Sequence, residues 1–300
     1  MLDDRLRPAR ERFKRHCPIF LLVLLTVLAV LTIPAAAEDS SSPFQPLVKR
    51  LVADGFDSQR MEAVFSSPEV SFAKRGVSAY FMHNEAKLNY KQFTRTWNIN
   101  SAKKYMQAHQ QWLDAAEKTY GVDKEVITAI ILVETKLGTY TGKSSVINIL
   151  ATLSAMADDD PRQVIWDNLP DNDRRMSRQQ FEKKADRKSS WAYRELKAFL
   201  TYTEEQGMDP TTIRGSYAGA MGISQFMPSN IGRYAQDGDA DGKIDLFVHA
   251  DAISSIASYL KHYGWKPGIS REKAFKVVYH YNHSKYYVNT ILDIADKLKG

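Results

Sequence analysis

The sequence predicts a mainly α-helical chain with room for one small β element near an aspartate-rich segment at residue 237. Three observations carry that prediction. Apolar residues recur at helical spacing through most of the chain. Glycines at 121, 138, 207 and 264 stand just after such stretches, where left-handed helix ends are expected. Alternating strand patterns are weak throughout. With 300 residues, 44% hydrophobic and 25% charged, the composition is that of an ordinary globular protein.

The first 37 residues stand apart from the fold. Arg5, Arg7, Arg10, Arg12, Lys14 and Arg15 form a basic start, an apolar run covers Pro18 to Ile33, and Ala35-Ala36-Ala37 follows. Basic region, short apolar region and small-residue exit are the three parts of a secretory signal, with cleavage expected after Ala37. The chain is therefore expected to be exported, to the periplasm or cell envelope. An uncleaved inner-membrane anchor is the alternative, although the apolar run is short for a spanning helix. The sole cysteine, Cys17, precedes the apolar run, so the processed chain would contain no disulfide. The formal charge of +6 shrinks once the basic leader is removed, and such mild basicity suits an anionic polymer but makes no case for nucleic acid.

Residues 38–46 read as a short Ser/Pro-rich linker. From Leu47 to Phe65 there are two short helical patterns broken by Gly55, and Ala102 to Tyr120 reads as one longer helix stopped by Gly121. Asp123 is placed to cap a helix that runs to about Leu137 and ends at Gly138. Residues 157–188 are polar, with Asp158-Asp159-Asp160-Pro161 followed by many Arg and Lys, and read as an exposed insertion. Trp191 to Gln206 carries Leu196, Phe199 and Leu200 at helical spacing. Ala250 to Tyr263 does the same with Ile253, Ile256, Ala257 and Leu260. Ser270 is placed to cap a further helix, and Tyr286 to Leu298 is the last.

Within the most apolar segment, Val126-Ile-Thr-Ala-Ile-Ile-Leu-Val-Glu134, residues Ile127, Ile130, Ile131 and Glu134 share one helix face. Burial disfavours a charged carboxylate, so the expectation is a raised pKa, as a general acid requires. On this feature alone, a glutamate reaching solvent from a helix end is the commoner reading. A second segment, Gly215-Ser-Tyr-Ala-Gly-Ala-Met-Gly-Ile-Ser-Gln-Phe-Met-Pro228, combines small residues, which admit close backbone approach, with polar Ser216 and Gln225. Tight packing explains the small residues but not an amide at 225.

These segments resemble the soluble and membrane-bound lytic transglycosylase B family. The likeness rests on Val133-Glu134-Thr135 with Gly138, on Ala151-Thr152-Leu153, on the block from Gly215 to Ser229, on Asp251 to Leu260, and on Tyr281-Asn282-His283-Ser284. It implies a lysozyme-like α+β fold over residues 47–300, with a helical part over about 47–120 and a core over about 121–300. It implies cleavage between N-acetylmuramic acid and N-acetylglucosamine, with Glu134 as acid and then base and with Ser216, Gln225, Tyr259, Tyr281 and Asn282 lining the sugar cleft. Peptidoglycan glycan strands are the implied partner, cell-wall assembly proteins a further one, and a monomer the expected state. The motif blocks hold no second carboxylate in a comparable apolar setting, whereas ordinary glycosidases use two. The substrate's own N-acetyl group and 6-hydroxyl would then serve, leaving a 1,6-anhydromuramic end. A muramidase using water keeps the same glutamate and stays open, as does a non-catalytic calcium-stabilised peptidoglycan-binding protein. Residues 157–188 depart from the family, which has a compact Pro-Arg segment there, with Pro161-Arg162 as its remnant.

Asp237-Gly-Asp-Ala-Asp-Gly-Lys-Ile-Asp245 places oxygen ligands at positions 1, 3, 5 and 9 of an EF-hand calcium loop, with Gly at 6 and the Lys243 carbonyl at 7. Val248 occupies position 12 in place of the usual glutamate, and Asp251, three residues on, can take that role. The expected ligands of a structural calcium ion are Asp237, Asp239, Asp241, Lys243 and Asp251. His280 and His283 fit no metal spacing and read as cleft or surface residues.

Overall fold

The computed structural model describes residues 42–82, 89–170 and 176–300. The leader, Cys17 and the first residues of the expected linker lie outside the described residues. So does the question of an anchor in the leader; among the described residues no helix is long and apolar enough to cross a membrane. The rest of the linker belongs to the fold: Phe44 is 1% exposed in the main core, and Gln45 and Pro46 already open the first helix.

Thirteen helices make up the described chain. They are α1 (Gln45–Ala53), α2 (Ser58–Phe65), α3 (Lys74–Met82), α4 (Thr96–Ala108), α5 (Gln110–Tyr120), α6 (Lys124–Thr135), α7 (Val146–Ala155), α8 (Asp159–Asp167), α9 (Arg178–Glu205), α10 (Pro228–Tyr234), α11 (His249–His262), α12 (Arg271–Tyr281) and α13 (Lys285–Lys299). A 3-10 turn at Tyr90–Thr94 precedes α4. Ser177, Ser270 and Ser284 cap α9, α12 and α13 through their hydroxyls, and Gly121 ends α5 in the left-handed conformation.

Helix α6 runs through the centre. Every residue from Val126 to Leu132 is buried, with α4, α5 and α13 packed around it. All of α7 is likewise buried, mostly against α9. One apolar cluster reaches from Phe44 and Leu51 through Ile127 and Ile130 to Ile291 and Leu298, so the N-terminal helices share the core of the C-terminal ones.

Four expectations are corrected. The helix expected over 102–120 is two helices, broken at His109, whose ring stacks on His249 at 4.2 Å between centroids. Asp123 occupies the N-cap position of α6, but its carboxylate makes no cap hydrogen bond and instead pairs with Lys299 at 2.8 Å. The β element lies not near residue 237 but in a two-residue antiparallel pair, β1 (Ser144–Ser145) with β2 (Arg214–Gly215), in register Ser144 to Gly215 and Ser145 to Arg214. A Cβ on Gly142, where φ is +106°, would lie 2.0 Å from the Gly215 carbonyl oxygen, so this crossing admits only glycine.

The fourth correction concerns residues 157–188. They are not an exposed insertion: α8 and the first half of α9 build a second apolar cluster, in which Ile165, Leu169, Phe181 and Ala185 pack on Val77 and Phe81 of α3 and on Ile149 and Leu153 of α7. The polar surface of this segment is ordered by charge pairs. Arg162 bonds Glu182 at 2.8 Å and Asp186 at 2.7 Å. Replacing the fully buried Phe181 with alanine is therefore expected to destabilise the chain by about 3–5 kcal/mol, read by chemical denaturation. A solvated insertion would show almost no change.

Candidate active site

Glu134 sits in the last turn of α6, half-buried, where the buried stripe meets the surface. The helix ends one residue later, and the chain turns through Lys136, Leu137 and Gly138, all at positive φ. Two consecutive non-glycine residues in that region are strained by about 1–3 kcal/mol each and need support from their surroundings. Thr135 supplies it. Its hydroxyl, fully buried, is shared between the carbonyls of Ile131 (3.2 Å) and Ile223 (3.3 Å), and it accepts from Gly138 N at 3.0 Å. One side chain thus ties the end of α6 to the glycine-rich block. On the outer side, a Cβ at Gly138 would meet the His249 ring at 2.7 Å, and His249 Nδ1 bonds the Tyr105 hydroxyl at 2.9 Å.

Two phenols face Glu134 from the C-terminal helices. Burial first, and then the negative charge of Glu134, pushes the Tyr281 phenol well above its ordinary value. The same two causes, in the same order, act on Tyr287, with a hydrogen-bond attraction to the Glu134 carboxyl added. The Tyr287 hydroxyl meets no strict hydrogen-bond geometry, so this pair is a close but poorly aligned approach. Tyr281 is differently placed: its hydroxyl donates to the Ser224 carbonyl, which fixes the ring against the glycine-rich block. Both phenols remain protonated at neutral pH.

The glycine-rich block forms a series of tight turns stitched to β1 and to the helix ends. Ser216 Oγ accepts from Ala218 N (3.2 Å) and Ala220 N (3.0 Å), which leaves its own O–H to donate. Gln225 is held at a φ of 50°, and its amide nitrogen donates to Thr141 O (3.0 Å) and Gly222 O (2.8 Å). Only its carbonyl oxygen is left for a ligand. Asn282 follows Tyr281 at the end of α12, half-buried, with no side-chain hydrogen bond among the described residues.

Tyr259 does not play the expected part. Its ring is 5% exposed, packed among Phe226, Tyr234, Tyr263 and Tyr281, and its hydroxyl donates to the His280 carbonyl at 2.7 Å. It is a core residue supporting Tyr281, and it offers no face to a sugar. The sequence reading missed Tyr287 and Thr135. Tyr287 looked like one more apolar member of the stripe it shares with Val288 and Ile291, and only its spacing of six from Tyr281 hinted at a common site. Glu195 was missed as well. It is a buried carboxylate that accepts from Ser229 N and Ser229 Oγ, each at 2.9 Å, and so anchors the exit of the glycine-rich block.

Of the expected metal ligands, the fold brings carboxylate oxygens of Asp237, Asp239 and Asp251 within 4.8 Å of one another. Asp251 is 2% exposed and accepts from Gly238 N (2.8 Å) and Asp245 N (2.6 Å). Burial raises its pKa first, and repulsion by Asp239 and Asp237 adds to this. Asp239 Oδ1 is buried with no hydrogen-bond partner. Asp241 stands outside this group, and its Oδ1 accepts from Lys243 N at 2.8 Å.

Comparison with known proteins is consistent with this geometry. The model of the transglycosylase SLT domain matches residues 39–271. The membrane-bound lytic murein transglycosylase B of Escherichia coli K12 is 33% identical over 230 residues, covering 71% of this chain and 55% of that protein. The chain thus spans about half the length of that relative. Among solved structures, the soluble lytic transglycosylase SltB1 from Pseudomonas aeruginosa superposes with a TM-score of 0.68 at 26% identity, over 84% of this chain and 97% of its own. The Escherichia coli lytic transglycosylase Slt35 in complex with calcium superposes with a TM-score of 0.68 at 23% identity, over 87% and 94%, a likeness of fold.

The placement of Tyr259 yields a direct check. Tyr259→Phe leaves the His280 carbonyl without its donor and is expected to cost about 1 kcal/mol in chemical denaturation, with sugar binding unchanged. A loss of binding without loss of stability would return Tyr259 to the cleft.

Proposed function

The chain belongs to the transglycosylase SLT domain family, and from that premise we propose that it cleaves the β-1,4 bond between N-acetylmuramic acid and N-acetylglucosamine in peptidoglycan, leaving 1,6-anhydromuramic ends. The observation that carries this reading is the position of Glu134. One ionisable carboxyl group stands at the mouth of an apolar helix, faced by two protonated phenols and roofed by a glycine-rich block. Of the two buried carboxylates of the described chain, Glu195 is spent on the backbone N–H and hydroxyl of Ser229 and Asp251 on two backbone N–H groups, so neither is free to act as a second catalytic acid.

In this mechanism Glu134 gives its proton to the glycosidic oxygen as the bond to the muramic anomeric carbon breaks. The 2-acetamido oxygen of muramic acid stabilises the positive charge at that carbon. Glu134, now ionised, takes the proton of the muramic 6-hydroxyl, and the oxygen closes onto the anomeric carbon. One carboxyl thus gives and regains one proton, and no water is consumed. The Tyr287 O–H is available to donate to Glu134 in its ionised form. The Ser216 hydroxyl, the Gln225 carbonyl oxygen and the Asn282 amide are the polar groups left for the sugar's hydroxyls and N-acetyl group. The family's membrane-bound relative and the basic, apolar and small-residue order of residues 1–37 support export to the periplasm or cell envelope, by cleavage after Ala37 or with the leader kept as an anchor.

We also propose a calcium ion at Asp237, Asp239 and Asp251. The orphaned Asp239 oxygen and the mutual repulsion of three carboxylates fit a hard cation with oxygen ligands. The Lys243 carbonyl would complete the set on the loop side, and the Slt35 calcium complex is the supporting neighbour. Calcium would supply charge balance that fixes the loop leading into α11, with no part in proton transfer.

Two outcomes test these readings. Glu134→Gln is expected to lower digestion of purified sacculi roughly 10²–10⁴-fold with an unchanged melting temperature, followed by mass spectrometry of the products. Anhydromuramic ends from the unmodified chain support the transglycosylase, and reducing muramic ends would make it a hydrolase. Millimolar calcium is expected to raise the melting temperature and a chelator to reverse the gain, with both effects absent in Asp239→Asn. An unmodified chain indifferent to calcium would leave the loop as an acidic turn.

A further inference from the structure

Helix α12 carries aromatic side chains on two opposite faces. Tyr281 turns inward, to the Ser224 carbonyl and the Glu134 site. Tyr279 comes two residues earlier, about 200° around the helix, and Phe275 lies one turn before Tyr279 on the same face. Their rings are nearly parallel, at 13° to each other with 6.3 Å between centres. With Lys276, His280 and Lys285 they line an open groove of about 460 Å³. Both rings are half-buried and packed against the main core, so the groove has a firm aromatic floor. Its surroundings are fixed as well. His283 meets the Tyr279 ring edge to face at 5.0 Å, and His280 stacks on Tyr263 at 4.2 Å while the Tyr259 hydroxyl holds its carbonyl.

An aromatic floor with polar groups along its rim suits a ligand that has an apolar face and hydroxyls at its edge. A pyranose ring has that shape, with C–H bonds across its face and hydroxyls around it. The rim can serve such hydroxyls. The Lys276 ammonium is taken up by Glu272 at 2.7 Å, but Lys285 has no acidic partner among the described residues, and His280 and His283 are exposed. Position indicates which saccharide. Asn282, whose amide is left for the substrate, is followed directly by His283, so the groove starts one residue beyond the proposed cleft. A strand that leaves the cleft past Asn282 meets His283, then Tyr279, then Phe275. A lipid surface would also draw lysines and aromatic rings, but it favours rings that project into it. Here the two rings are recessed in a groove.

We propose that Phe275 and Tyr279, rimmed by His280, His283 and Lys285, form a second saccharide platform on the outer face of α12, which holds the glycan strand after it has left the cleft and so makes the enzyme favour long strands over short ones. The proposal rests on the peptidoglycan reading of the Glu134 site.

The test uses the full chain carrying Glu134→Gln, to prevent turnover, and calorimetry with two probes freed of peptide: long glycan strands, and the tetrasaccharide of alternating GlcNAc and MurNAc. The long strand is expected to bind roughly tenfold more tightly, the scale of two ring contacts. Adding Tyr279→Ala is expected to close most of that gap and to leave tetrasaccharide binding unchanged, whereas Tyr279→Phe keeps the gap. Tyr279→Trp covers the case in which the alanine variant does not fold: it keeps an aromatic face, and its added emission is expected to shift with the long strand and not with the tetrasaccharide. Equal binding of the two probes by the parent, a gap that survives Tyr279→Ala, or an emission from Tyr279→Trp that ignores the long strand overturns the proposal. So does a loss confined to phosphatidylglycerol vesicles, which would mark a membrane face. If neither probe binds the parent, the peptidoglycan reading has failed and the platform with it; a tetrasaccharide that binds with no long-strand advantage removes the platform alone.

Discussion

The Thr135 hydroxyl is the interaction on which the site depends. Helix α6 is buried on every side, and a helix so placed must still end somewhere with its last carbonyls satisfied. It ends in a left-handed turn made partly of non-glycine residues, a conformation that persists only where neighbouring structure insists on it. Thr135 accepts from the turn at Gly138, bonds back to Ile131, and reaches across to Ile223. Glu134 is fixed because the residue beside it joins the helix end to the glycine-rich block. Thr135 is therefore no incidental neighbour of Glu134: it holds the end of the helix that carries the carboxyl and bonds that end to the glycine-rich block.

The parts of the fold legible in the sequence are those with local causes. The glycine stop at Gly121, the Ser270 cap and the apolar stripe of α6 are all decided within a few residues, and they stand where their chemistry puts them. The parts that were not legible have causes distant in the chain. No glycine or proline marks the break at His109; the accompanying ring stack involves His249, 140 positions along the sequence. The strands β1 and β2 are two residues long, too short for any period to declare itself. The first half of α9 reads as polar because one narrow stripe, Phe181, Ala185, Ser189 and Ala192, does all the burying while the remaining faces carry charge.

The candidate site divides in the same way. Glu134 and the glycine-rich block are compact motifs that carry the family resemblance, and it is that resemblance, not residue type and spacing alone, that implies their chemistry. Tyr259, Tyr281 and Tyr287 are three tyrosines in helical stripes, and no pattern along the chain distinguishes a phenol inside the core from one facing an acid. The distinction comes from what the hydroxyl meets. Tyr259 finds the His280 carbonyl, Tyr281 finds the Ser224 carbonyl, and Tyr287 approaches Glu134. The amide of Gln225 is similar, since its nitrogen is committed to two carbonyls that only the folded loop brings together.

Charge that the fold leaves unbalanced is informative because it is costly. Most ionic groups here are paired or solvated, as with Arg162 between Glu182 and Asp186, or Lys124 with Asp114. Two places differ. In the aspartate loop, carboxylates crowd around an oxygen with no partner; on α9, ammonium groups without carboxylates lie against aromatic rings. They carry opposite sign, and they flank the glycine-rich block in sequence, α9 before it and the loop after it. A chain selected only for stability would relieve both by substitution, since removing like-charge repulsion is easy at half-buried positions. In the loop, the physical reading is that the crowded carboxylates are completed by a cation from outside the chain.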